Sequence, residues 1–359
     1  MQGIRPLARP WLIIAWLLGS AFLLAIETTQ ACTRILYKGE ENLVLTGRSM
    51  DFSLDIPANL WVFPRGLERS GEVGEQSLQW TSRYGSLVTS SWDMATTDGM
   101  NEKGLVANLL WLVASEYPEF DPQGDAQGLT IAAWAQYVLD QYASVAEAVA
   151  GLREASFVVV TDFIPGTDKF TTVHLSLSDA QGDSAILEYL EGQLVIHHSA
   201  DYQVMTNDPI YEQQLAISRY WSEVSGLQFL PGSNRAADRF ARASYYLTAI
   251  PKTDDPQIAI ASLFSVVRNV SVPYGISTPE QPHLSNTRWR VVADQTHLHY
   301  YFENVLTPNV FWVDLHAFDL SKGQPVKKLA LDRGQVYAGE ASAHFKVAQP
   351  FQFQGLDLH

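Results

Sequence analysis

Apolar positions recur first at strand spacing. Thr33–Tyr37 and Leu43–Met50 flank a polar turn, Lys38-Gly39-Glu40-Glu41-Asn42, and together predict a β-hairpin. Further strands are predicted over Leu60–Phe63, Ser77–Trp92 and Leu105–Leu112, with Asp98-Gly99-Met100-Asn101-Glu102-Lys103-Gly104 as the turn between the last two. The period then changes. Leu129–Tyr142 and Ser144–Arg153 place apolar residues three and four apart, and Ser144 with Glu147 forms a capping box at the start of the second helix. Strands return over Phe157–Thr161, Thr172–Leu177, Ala185–Tyr189 and Leu194–His197, with Gly182 and Gly192 in the turns. Beyond Asn207-Asp208-Pro209 the spacing predicts helices over 210–222, 235–248 and 256–268, then a β-rich part over 287–316. Blocks of strands alternating with blocks of helices predict an α+β layered fold with largely antiparallel sheets. No linker, repeat or low-complexity tract interrupts residues 32–359, which read as one domain.

Residues 1–31 stand apart from this pattern. Arg5 and Arg9 precede a continuous apolar run over residues 11–26, and Thr29-Gln30-Ala31 offers a small-x-small cleavage site. The segment reads as an export signal; the apolar run falls short of the roughly 20 residues a membrane-spanning helix needs. Removing it takes away two arginines and one glutamate and moves the formal charge from −15 to −16. So acidic a chain repels phosphate backbones, and no basic stripe offsets this, which excludes a nucleic-acid partner.

Cys32, the chain's one cysteine, follows that segment directly. It can form no internal disulfide, so its place in an exported chain points to packing, lipidation or chemistry. A cysteine at a new N-terminus carries a thiol and a free α-amine, and the amine, with an ordinary pKa of about 7.7 to 8.0, can take the thiol proton. Nucleophile and base then belong to one residue. The competing reading is a lipid-anchored protein that binds a ligand without turning it over; Thr29 and Gln30 do not fit the apolar and small residues expected ahead of a lipidated cysteine.

Around Cys32 several segments fall in a recognisable order: Cys32-Thr33-Arg34, then Gly47-Arg48-Ser49-Met50-Asp51-Phe52, the Asp98–Leu105 segment, Met205-Thr206-Asn207-Asp208-Pro209, and Pro231-Gly232 followed by Arg239-Phe240. In order and spacing these resemble the choloylglycine hydrolase family of penicillin V acylases, bile salt hydrolases and N-acyl homoserine lactone acylases. The resemblance implies a four-layer αββα N-terminal nucleophile hydrolase fold, with two antiparallel sheets between helix layers and, by family analogy, a homotetramer. It also implies roles: Cys32 as nucleophile, Arg48 beside the thiol, Asp51 accepting a hydrogen bond from the Cys32 amine, Asn207 donating to the oxyanion, and Arg239 holding the site. Arg48 and Asp51 lie three apart and share no strand face, so for both to reach Cys32 the strand should end or bend there. Trp111 falls at the family's second oxyanion position, where bile salt hydrolases carry Asn and the donor is a backbone N–H.

The resemblance thus implies a small N-acyl amide substrate with a hydrophobic acyl group, penicillin V or an N-acyl homoserine lactone first and bile salts second, and no cofactor. Trp61, Phe63, Tyr84, Trp92 and Trp111 flank the motif segments and are the candidates for an acyl pocket, with core packing as the alternative for each. His297-x-His299 on a presumed strand would turn both imidazoles to one face, but with no His-Glu-x-x-His or cysteine cluster beside it, no metal is expected. Neither a Gly-x-Ser-x-Gly elbow nor a phosphate-binding glycine loop occurs.

Overall fold

The computed structural model describes residues 31–224, 229–278, 284–307 and 309–356. The proposed signal segment, apart from Ala31, lies outside the described residues. The predicted hairpin forms as β1 (Thr33–Lys38) and β2 (Val44–Phe52), followed by β3 (Ala58–Phe63), β4 (Glu68–Ser70), β5 (Gln79–Thr81), β6 (Ser86–Ser91), β7 (Ala95–Asn101) and β8 (Val106–Trp111). β9 (Gly128–Thr130) leads through one 3-10 turn into α1 (Trp134–Gln141) and α2 (Val145–Glu154). Then come β10 (Val158–Val160), β11 (Val173–Ser178), β12 (Ser184–Leu190), β13 (Gln193–His198) and β14 (Val204–Met205). The helices α3 (Tyr211–Val224), α4 (Ala236–Ala249) and α5 (Pro256–Asn269) precede β15 (Asn286–Asp294), β16 (His299–Asn304) and β17 (Val310–Asp314). β18 (Lys327–Ala330), β19 (Gly339–Glu340) and β20 (Lys346–Val347) complete the strands.

Two large sheets result. One runs β14-β1-β2-β15-β16-β17-β19, the other β13-β12-β11-β8-β7-β6-β3-β18-β20. Within them only the short β17–β19 pair is parallel. The helices α4 and α5 pack on the first sheet and α1 and α2 on the second, which gives the four-layer αββα order. Both faces of each sheet are therefore covered, and all nine residues of β2 are buried. Gly47 serves this directly, because a Cβ there would lie 2.8 Å from Val267 and 3.0 Å from Leu263 on α5. Among the described residues no helix is long and apolar enough to cross a membrane.

Three local expectations are corrected. The segment Ser77–Trp92 is two strands, because residues 82–85 turn aside so that Arg83 and Tyr84 donate backbone N–H groups to Asp140 O at 2.8 and 3.2 Å. Asp98–Asn101, expected in a turn, belongs to β7, and only residues 102–104 turn. This strand is polar because its side chains are satisfied between layers: Thr96 reaches Gln136 Oε1 at 2.9 Å, and Asn101 donates to Leu139 O and Tyr142 O at 2.9 and 2.8 Å. The helix expected over Leu129–Tyr142 begins only at Trp134, the residues before it being β9 and the 3-10 turn. The capping of α2 is as read, with Ser144 Oγ accepting from Glu147 N at 3.2 Å.

Packing at Gly47 gives a test of the layer order. Gly47→Val forces overpacking against α5 and should cost about 1–3 kcal/mol. Thermal unfolding should show a melting temperature several degrees lower; an unchanged one would mean that α5 does not rest on β2.

Candidate active site

Strand register brings the site together before any side chain is considered. β1 lies between β2 and β14, with Thr33 opposite Ser49 and Arg34 opposite Met205. Continuing the two antiparallel registers by one and two residues sets Cys32 beside Met50 on one flank and Asn207 on the other. Segments far apart in sequence thus meet at the start of β1.

The thiol is buried, with Cys32 3% exposed. Its Sγ lies 3.5 Å from both the backbone N and O of Asp51, 3.8 Å from Met50 Sδ and 4.0 Å from Arg48 Nη2. Arg48 itself is fully buried: Nη1 pairs with the Asp98 carboxylate and Nη2 donates to Leu109 O at 3.0 Å. Asn108 Nδ2 and Trp289 Nε1 hold Asp98 in turn, at 3.1 and 3.3 Å. The field at sulfur is therefore that of an ion pair rather than of a bare cation. Burial pushes the thiol pKa up, and Arg48 only partly opposes it. The thiol stays protonated until a base is supplied.

Arg48 and Asp51 both reach Cys32, at a place where β2 is about to end at Phe52 and its pairing with β15 shifts register between Thr287 and Trp289, opposite Asp51 and Met50. Arg48 points into the space between the sheets, whereas Asp51 brackets sulfur with its backbone and sends its carboxylate toward the helix layer. There the carboxylate accepts from Ser49 Oγ at 3.2 Å and from Thr287 Oγ1. Burial lifts Asp51 to about 6, against the pull of Arg239, the two hydroxyls and Arg48. The expected bond from the Cys32 nitrogen to Asp51 is not formed; that N–H donates to Asn207 Oδ1 at 2.6 Å. The nitrogen is here an amide following Ala31, its N–H lies in the sheet plane, and the Asp51 carboxylate has left that plane.

Asn207 and Arg239 complete the cluster. Asn207 Oδ1 accepts from Cys32 N and from Arg239 Nη2, the latter at 2.7 Å, while Nδ2 donates to Trp111 O at 2.7 Å. One N–H of the amide remains for a ligand. Arg239 is fully buried on α4, with Nη1 2.6 Å from both Cys32 O and Thr33 Oγ1 and Nε 3.0 Å from Asn234 O. Beyond Asn108, β8 has lost its partner β7, and Leu112 N donates to Thr172 O at 3.0 Å. Antiparallel alternation therefore turns the N–H and C=O of Trp111 toward the vacated edge, where the Asn207 amide meets the carbonyl.

A mostly apolar cavity of about 110 Å³ opens on Cys32. Trp92 and Trp111 line it, each set edge-on to Phe52, at 6.3 and 6.4 Å between ring centroids. Trp92 sits with Asp93 at a hairpin tip, both at positive φ, 53° and 50°. Trp61, Phe63 and Tyr84 are not in the cavity. Trp61 and Phe63 alternate with Leu60 and Val62 on β3, and their parity faces the outer layer, where both pack edge-on against Phe351. Tyr84 lies in the turn after β5, under the Arg83 guanidinium. Phe52, Ile56, Ile131 and Ile164 also line the cavity and escaped the sequence reading. Phe52 alone had a signal, since it follows Asp51 and shares the strand face of Arg48 and Met50. His297 and His299 share no strand face, because His297 lies in the turn before β16, 2.8 Å from Asp294, while His299 begins the strand.

The model of the linear amide C–N hydrolases, choloylglycine hydrolase family, matches residues 32–328. The chain is 48% identical to a penicillin V acylase of Pectobacterium atrosepticum, over 96% of each sequence. Among solved structures, a penicillin V acylase of Agrobacterium tumefaciens is similar at 56% identity and a TM-score of 0.85, over 90% of this chain and all of that one. A mutant conjugated bile acid hydrolase of Clostridium perfringens, at 21% identity, shares the fold alone, with a TM-score of 0.71 over 84% of this chain and 97% of its own. With the match beginning at Cys32 and spanning every segment that converges on it, the chain belongs to the choloylglycine hydrolase family of linear amide C–N hydrolases.

Proposed function

We propose that this chain is an exported N-terminal cysteine amidohydrolase that releases a hydrophobic acyl group, of the size of one aromatic ring, from a penicillin V-like amide. The observation that carries this reading is the Cys32 thiol at the wall of a small aromatic cavity, with Arg48, Asp51, Asn207 and Arg239 around it. A cavity of about 150 Å³ holds a benzene molecule. The apolar part of the Cys32 cavity, about 110 Å³ and walled by Phe52, Trp92 and Trp111, offers an aryl head ring-to-ring contact. That favours an aryl acyl group over a bile acid, in keeping with the named relatives at 48% and 56% identity. N-acyl homoserine lactones with short chains fit the same space.

The chemistry follows from the groups in place. Removal of residues 1–31 turns the Cys32 amide nitrogen into an amine, which takes the thiol proton. Sulfur attacks the amide carbonyl, and the oxyanion meets the remaining N–H of Asn207 and the backbone N–H of Trp111. The ammonium returns its proton to the leaving nitrogen, the C–N bond breaks and a thioester remains. Water, deprotonated by the same amine, then attacks the thioester carbonyl; the C–S bond breaks, the acid leaves and the ammonium returns its proton to sulfur.

Intact mass and N-terminal sequencing of the exported protein should show unmodified Cys32 first, and a diacylated Cys32 would point instead to a lipid-anchored binding protein. Cys32→Ser should fold and lose at least about a thousandfold in kcat on penicillin V. Retained turnover would remove Cys32 as nucleophile. Hydrolysis of penicillin V, an N-acyl homoserine lactone and glycocholate, measured side by side, should rank in that order; glycocholate turned over fastest would overturn the cavity argument.

The raised Asp51 pKa predicts an acid limb. The carboxyl is neutral below about 6 and ionised above it. A neighbouring ammonium favours the ionised form and can only lower that value. The Asp51 limb of kcat/KM should therefore have a midpoint no higher than about 6, below the step at which the Cys32 amine, ordinarily about 7.7 to 8.0, takes up its proton. Asp51→Asn should lose the limb along with most activity; a limb that survives the substitution belongs to another group.

A further inference from the structure

The Asn207 amide can face an incoming carbonyl only if the backbone at residue 207 is held, and the structure holds it from both sides. Thr206 C=O and Asn207 N–H share one planar peptide unit, so fixing the Thr206 oxygen fixes the approach to the Asn207 Cα. That oxygen accepts from His174 Nε2 at 2.8 Å. On the far side Gln214 Nε2 donates to Asn207 O at 3.1 Å and to Asp208 O at 2.8 Å. Both planes that meet at this Cα are thereby pinned.

His174 is an unusual anchor. It rises from β11 into the buried layer between the sheets, 1% exposed. Leu175 pairs with Leu187, so His174 and Glu188 are the next cross-strand pair, with Nδ1 3.1 Å from Glu188 Oε1. Glu188, wholly buried, also accepts Tyr211 N at 3.0 and 3.2 Å and faces His197 Nε2 at 3.3 Å. A carbonyl oxygen can only accept, so Nε2 of His174 carries a proton. Nδ1 faces a carboxylate: burial alone would raise Glu188, but His174, His197 and the Tyr211 N–H bring it down to about 2. Both ring nitrogens therefore have an acceptor oxygen within hydrogen-bond distance. The other charged or titratable groups nearby are Tyr211 on α3 and, behind it, Arg34 on β1, which donates to Leu177 O and Tyr202 O.

We propose that His174, held between Glu188 and the Thr206 carbonyl, is a positioning residue that aims the Asn207 amide at the oxyanion. This rests on the reading of Asn207 as an oxyanion donor. An oxyanion donor misplaced by a fraction of an ångström loses most of its worth. The same Glu188 oxygens hold the first N–H of α3, so one buried pair fixes the start of that helix and the residue ahead of it.

The test is a double-mutant cycle on the mature chain with penicillin V. His174→Phe should lower kcat about tenfold with KM within about twofold of the parent, and should cost less than about twofold more in an Asn207→Ala background. His174→Gln, which can still donate to Thr206 O, should recover part of the loss. An Asn207→Ala variant of full activity would sink the oxyanion reading itself. Loss of activity in Asn207→Ala, with His174→Phe either harmless or equally costly in both backgrounds, would sink only the positioning role. Should His174→Phe not fold, Glu188→Gln keeps the shape and should lower kcat about threefold; wild-type kcat there overturns the proposal. Nitrogen-15 spectra of the mature chain should show His174 Nε2 protonated at neutral pH, and a ring protonated at Nδ1 alone would overturn the proposal whatever the kinetics.

Discussion

A guanidinium removed from water must find an acceptor for nearly every N–H it carries, and Arg239 finds them in three separate parts of the chain. Its Nη1 takes the backbone oxygen of Cys32 and the hydroxyl of Thr33, its Nη2 the side-chain oxygen of Asn207, and its Nε the carbonyl of Asn234. Strand β1, the Asn207 loop and helix α4 are thus tied at one point. Burial makes such a cation costly, and Asp51 supplies the opposing charge. The arginine that closes the helix layer over the first sheet is therefore the one that sets the distance from Cys32 to the Asn207 amide. Periodicity could place Arg239 on a helix, but not decide whether that helix turned it to water or into the site.

The electrostatics around sulfur explain why the amine matters so much. Arg48 approaches the thiol, yet Asp98 already neutralises most of its charge, and burial favours the uncharged thiol. Ion-paired arginine near a buried sulfur is a weak activator; a base within one residue of it is a strong one. While Ala31 is attached, the Cys32 nitrogen is an amide that donates to Asn207, with no lone pair to offer. The proposed removal of residues 1–31 would turn that nitrogen into an amine already in contact with Asn207.

The convergence of Cys32, Arg48, Asp51, Asn207 and Arg239 was legible in the sequence through the resemblance of their segments to one family, and for all but Arg239 strand register accounts for it. Once β1 pairs with β2 and β14, the register does the rest. The acyl pocket was legible only in part. In a sheet covered on both faces, apolar residues occupy both parities, and alternation cannot say which face looks inward: Trp61 and Phe63 read as well as Trp92 and Trp111, yet face the outer layer. Strand β7 was lost for the opposite reason, since its Thr, Asp and Asn residues imitate a turn until their partners on other strands are known. His174 and Glu188 carry no signal at all, fourteen residues apart with nothing in their spacing to couple them.

The silence of Asp98, His174 and Glu188 has one physical source, the polar layer between the sheets. Arg34, Thr46, Arg48, Thr89, Asp98, His174 and Glu188 are all buried, and their partners lie mostly across the gap: Thr46 on Ser178 at 2.8 Å, Thr89 on the Tyr300 hydroxyl at 3.0 Å, Arg34 on Leu177 O at 3.0 Å. An apolar interface would let two sheets slide through many near-equivalent packings. Directional hydrogen bonds allow one, because each donor moved off its acceptor is left unpaired in a medium that cannot replace it. The reacting groups arise from strands of both sheets, so their mutual geometry is only as exact as the alignment between the sheets. A layer that sacrifices hydrophobic burial for directional contacts is the arrangement that such a site demands.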